Sequence, residues 1–105
     1  MATKKQRRMK SIEPRFISWD SMGQRVEGTL VRTEGFQYRN GNEGVRYTLV
    51  QDDSEIVQFN GTIQLNELLA TVAEDTYVEV EYIRDVETDQ PQPAKIFSVL
   101  AEITD

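Results

Sequence analysis

Phe36, Tyr38, Arg39 and Arg46 crowd around one turn, Asn40-Gly41-Asn42-Glu43-Gly44. A hairpin needs the asparagines and glycines, which adopt positive φ at little cost. It does not need two aromatics one residue apart or an arginine on each side. Aromatic faces stack on unpaired bases for ~1–3 kcal/mol per base, and arginines pair with the phosphates between them. Arg32 precedes the turn, and Gln58 and Asn60 follow it with hydrogen-bonding groups. Such a set suits a groove that holds a single strand of nucleic acid. A second reading makes Phe36 and Tyr38 a cross-strand pair that steadies the hairpin, with the arginines a solvated face.

Other chemistries find little to work with. The chain of 105 residues has no histidine and no cysteine, which removes the commonest general base and any thiolate metal site. Ser-His, Cys-His and phosphate-loop patterns are missing. Asp52, Asp53 and Glu55 are hard-cation ligands by type, but they lack the spacing of a calcium loop and sit where a turn is required. The expectation is a binding protein, not an enzyme, with no cofactor and no metal.

Net charge is −6, but it is divided unevenly. Residues 1–10 hold Lys4, Lys5, Arg7, Arg8 and Lys10 with no acid, a net +5. The rest holds seven of the 12 basic residues against all 18 acidic ones, a net −11. Residues 1–13 therefore read as a disordered basic arm before a domain over 14–105. The arm fits either a non-specific clamp on phosphates or a solubilising tail. No apolar run reaches the ~20 residues of a membrane span, so a soluble, cytoplasmic protein is expected.

The elements that must position the hairpin follow from periodicity. Phe16, Ile17 and Trp19 form an apolar anchor, Trp19 packing at the core edge with its N–H on a partner. Alternation predicts strands over 25–34, 44–52, 55–61, 77–85 and 95–103. Gly28, inside the first, marks a bulge or sharp bend. Tyr47, Phe59 and Tyr82 fall on core faces. Residues 62–72 change to helical spacing, with Thr62 a plausible N-cap.

The order β-β-β-α-β-β predicts an all-β fold with one short helix, the five-stranded, partly open Greek-key OB barrel. SH3-like barrels lack a helix of this length there, and ferredoxin-like folds need two helices. OB domains bind oligonucleotides across the second and third strands and the loop after the first, where the decorated hairpin falls.

The motifs W-D-x-x-G-Q-x-V-E-G-T-L (19–30), Y-T-L (47–49), F-N-G-T-x-Q-L-x-x-L-L (59–69), V-E-V-E-Y (78–82) and K-I-F-x-V (95–99) resemble small phage and prophage OB-fold proteins that bind single-stranded DNA. The resemblance covers nearly everything after the arm and rests mainly on structural positions. It implies sequence-independent binding in replication or recombination, alongside proteins of those processes. RNA in place of DNA and self-association are open alternatives. The alternative class is an OB-fold interaction adaptor of a phage replisome or virion, which the acidic domain would suit.

Overall fold

The computed structural model describes residues 13–103; residues 1–12 of the basic arm lie outside them. Seven elements follow in order: Arg15–Phe16 (β1), Arg25–Gln37 (β2), Glu43–Val50 (β3), Ile56–Asn60 (β4), Ile63–Leu69 (α1), Thr76–Val86 (β5) and Ala94–Ala101 (β6). All six strands join one sheet in the order β1-β4-β3-β2-β5-β6, curled as a half-barrel. The fold is mostly β with one short helix, as the alternation predicted. It carries a sixth strand that the sequence reading did not contain. β1 lies parallel to β4, with Arg15 beside Val57 and Phe16 beside Gln58.

The curl encloses Val26, Leu30, Tyr47, Leu49, Val57, Phe59, Val78, Val80, Tyr82 and Phe97, with Leu65 and Leu69 of α1. Period-2 alternation puts these side chains on one face because successive strand residues point to opposite sides. Trp19 closes the seam between the two ends of the sheet. Its ring meets Phe59 of β4 edge-on at 5.5 Å and Phe97 of β6 at 5.1 Å. Its buried indole N–H has no hydrogen-bond partner, which corrects the expected pairing: the ring is held by edge-on contact with two phenylalanines instead. Gln64 of α1 accepts the Phe97 amide at 2.8 Å, tying the helix to the β6 edge.

The helix is shorter than the predicted 62–72. Thr62 caps it, its hydroxyl accepting the Leu65 amide at 3.2 Å. Leu68, placed on the apolar stripe by its spacing, is exposed, because so short a helix turns only Leu65 and Leu69 fully onto the sheet. Irregularity also falls elsewhere than expected. Gly28 pairs regularly with Val78. A Cβ there would lie 2.9 Å from the Val50 carbonyl oxygen and 3.1 Å from Leu49 Cβ, so the glycine serves a close backbone approach. The bulge comes three residues later, between Leu30 and Arg32, and a second interrupts β5 between Tyr82 and Arg84. On the inner side beyond it, Tyr82 donates to Asp85. That bond, followed by desolvation and the Asp85 charge, pushes the Tyr82 hydroxyl up to about 12.

Candidate nucleic-acid interface

The first bulge decides which side chains reach the outer face. Before it, even-numbered β2 residues point inward and Leu30 is fully buried. The extra residue, Val31, shifts the alternation. Arg32, Glu34 and Phe36 then lie opposite Thr48, Arg46 and Gly44, on the side away from Tyr47 and Leu49. On β3 and β4 the matching outward pairs are Arg46 with Asn60 and Thr48 with Gln58. Two rungs therefore cross the sheet. Arg32, Thr48, Gln58 and Phe16 make one, and Glu34, Arg46 and Asn60 the next.

Arg46 sits at the centre. Its Nε donates to Asn60 Oδ1 at 3.3 Å. Its guanidinium carbon lies 4.8 Å from the Phe36 ring centroid and 6.0 Å from that of Phe16, within the range of cation–π attraction. Among the described residues the only ion pair is Arg32 with Glu34, at 3.2 Å. Glu34, although opposite Arg46 in register, is thus engaged by Arg32. The terminal guanidinium nitrogens of Arg46 keep no carboxylate. Gln58 donates to the Thr48 hydroxyl at 3.1 Å, leaving its amide oxygen as an acceptor on the same rung.

The hairpin is longer and its turn tighter than expected. β2 runs on to Gln37, so Phe36 is a strand residue opposite Gly44 and not part of a loop. The Tyr38 amide donates to Asn42 O at 2.8 Å and Gly41 to Tyr38 O at 3.0 Å, with Gly41 at φ +89°. This confines the turn to Arg39-Asn40-Gly41. Gly44 has another task. A Cβ on it would lie 2.7 Å from both the Phe36 and Tyr38 rings, so the two aromatics rest on bare backbone. They meet edge to face at 4.7 Å. Phe36 is half-buried there, while Tyr38 is 41% exposed.

Of the residues expected at the site, Arg32, Phe36, Arg46, Gln58 and Asn60 share one face, and Tyr38 adjoins Phe36. Arg39 does not join the rungs; it stands at the tip, exposed. Lys4, Lys5, Arg7, Arg8 and Lys10 lie outside the described residues. Phe16, 51% exposed, is the ring that sequence reading missed, because it looked like part of the anchor with Ile17 and Trp19. The polarity of "RFISW" held the only signal: Ile17 and Trp19 share a parity, and Phe16 has the other.

The turn at Asp52–Glu55 is held internally, Asp53 Oδ1 accepting the Glu55 amide at 3.0 Å. Near it, burial and then the charges of Glu27, Asp52 and Glu79 raise the Tyr77 hydroxyl above its usual range. No helix among the described residues is long and apolar enough to cross a membrane. Compared with protein families, with curated proteins and with solved structures, the chain matches none.

Proposed function

We propose that this chain binds single-stranded DNA without base preference, on the part of its outer face formed by β1, β4, β3 and the distal half of β2. The half-barrel is read as an OB-type domain. In support, β2 pairs with both β3 and β5, and the one helix lies between β4 and β5. β1 and Trp19 take the seam that pairing of β4 with β6 would close. The resemblance to phage single-stranded DNA-binding proteins points the same way.

The observation that carries the reading is Arg46, held between two rings and fixed by Asn60, with no acid bound to it. Flanked by the two rings and oriented through Nε, it offers two donors to a phosphate. Exposed Phe16 and Tyr38 offer faces on which bases stack, and Phe36 supports Tyr38 from below. None of these contacts reads a base edge, so sequence tolerance follows. Fluorescence anisotropy with a labelled oligo-dT thirty-mer tests this against a duplex of equal length at low salt. Binding to the single strand, weakening steeply with added salt, is expected. No binding would sink the proposal and leave an interaction adaptor as the better reading.

A further inference from the structure

The other half of the same outer face has the opposite character. On β2 ahead of the bulge, Glu27 faces outward directly opposite Glu79 of β5, and Arg25 is opposite Glu81. Like charges facing each other across strands are destabilising. Arg25 stands opposite Glu81 without forming an ion pair, and no cation among the described residues pairs with Glu27 or Glu79. Leu100, opposite Glu79 on β6, is 62% exposed. This face is uncovered, negative and partly apolar.

The register shows from which end of the sheet the chain enters β1. β1 runs parallel to β4, so going back from Arg15 the chain heads the way β4 leads back from Val57 toward Glu55. Through the pairs Val57–Leu49, Leu49–Leu30 and Leu30–Thr76, that heading points to the end of the sheet where Glu27 and Glu79 stand. β1 is four strands from β5, about 19 Å across a flat sheet at ~4.8 Å per strand. Twelve residues precede the described ones, and extended they span up to ~40 Å at ~3.3 Å each. Five of them are cationic and none is acidic through residue 10.

We infer that residues 1–10 dock on the outer face of β5 and the proximal half of β2, with their lysines and arginines against Glu27, Glu79 and the turn Asp52–Glu55. Docking places cations where the strand register leaves two carboxylates face to face. Met9 adds an apolar group beside an exposed leucine. The arm is thereby a counter-ion of the chain's own acidic face, and its charges are withheld from other polyanions until these outcompete the carboxylates. This holds whether or not the opposite half takes DNA.

The test uses the full chain. The arm holds three of the four lysines, Lys4, Lys5 and Lys10. A zero-length carbodiimide cross-linker joins lysines to carboxylates in contact, and mass spectrometry maps the links. At low salt, links within one molecule from these lysines to Glu27, Glu79, Asp52 or Asp53 are expected, and they should disappear in 0.5 M salt by screening. Links spread equally to Glu87 and Asp89, beyond the far end of β5, or found only in covalent dimers, would overturn the assignment. A second measurement is independent of link chemistry. The full chain carrying K4Q, K5Q, R7Q, R8Q and K10Q should melt a few degrees below the parent at low salt and together with it in 0.5 M salt. Equal melting at low salt would equally refute docking.

Discussion

One sheet presents two outer surfaces that share a strand. Distal to Val31, β2 contributes Arg32 and Phe36 to a surface with Arg46, Asn60 and Phe16. Proximal to it, the same strand contributes Glu27 to a surface with Glu79 and Glu81. The single inserted residue separates them, because it changes which parity faces out. A charge of −11 over residues 11–105 therefore says little about what any one surface can hold. Acids concentrated on one half leave the other half free to attract a polyanion at close range, since screening at ~0.15 M salt limits charge effects to ~8 Å.

The largest effect should come from what both surfaces share, the core beneath them. Leu30, fully buried just before the bulge, should cost ~2–5 kcal/mol of stability as Leu30→Ala, measured by urea unfolding. Where the variant is still folded, oligo-dT affinity should be that of the parent. A selective loss of binding in a fully folded Leu30→Ala chain would mean that the two surfaces are not separable.

Next come the rings of the basic half. Phe16→Ala and Tyr38→Ala should each weaken oligo-dT binding by ~1–3 kcal/mol with little change in melting, because both side chains are well exposed. Phe36→Ala should differ, lowering stability as well, since its half-buried ring covers Gly44 and faces Arg46. If Tyr38→Ala binds normally and melts early, the aromatic pair is structural and the contrast between the halves loses its function.

Arg46→Ala should lower affinity more modestly and reduce the magnitude of the salt slope by ~0.7, the share of one phosphate on a single strand. The double variant Glu27→Gln, Glu79→Gln, made and compared in a chain whose arm cations are neutralised (K4Q, K5Q, R7Q, R8Q and K10Q), should leave that slope almost unchanged. An equal change in both would show that the field is global and not divided between surfaces.

The core was legible because burial imposes alternation: Val26, Leu30, Tyr47, Leu49, Phe59, Val78, Val80 and Tyr82 all lie where period 2 put them. The bulge was not legible, because Val31 is as good a strand former as its neighbours and only the pairing with β3 reveals the extra residue. Arg32 and Phe36 were chosen for their chemistry; strict parity with Leu30 would have turned both inward. Phe16 was missed because its place depends on a two-residue parallel pairing more than forty positions away in sequence, and no local pattern encodes such a contact. Gly28 was legible as a special position, but its reason, the Val50 carbonyl against its Cα, needed the fold.

The smallest effect reads the acidic half directly. The Tyr77 hydroxyl is raised above its ordinary value near 10, first by desolvation, then by the charges of Glu27 and Asp52, with a bond to Glu27 and the charge of Glu79 adding to it. A tyrosine whose folded pKa lies above its unfolded one keeps its proton longer in the native state. Its stabilisation is complete below pH ~10 and is lost as pH rises through the folded value. Glu27→Gln with Glu79→Gln should remove the charges and lower the folded pKa toward 10. The decline in stability above pH ~10 should then be shallower than in the parent. Tyr82 also titrates late, at about 12, but its partner is Asp85 on the inner side, so the double variant leaves it alone. The difference in phenolate absorbance against pH between parent and variant, both carrying Tyr82→Phe, reports Tyr77, because Tyr38 and Tyr47 are common to the two chains. Superimposed titrations would mean that desolvation alone holds the hydroxyl up, and that the acidic half exerts no field worth contrasting with its neighbour.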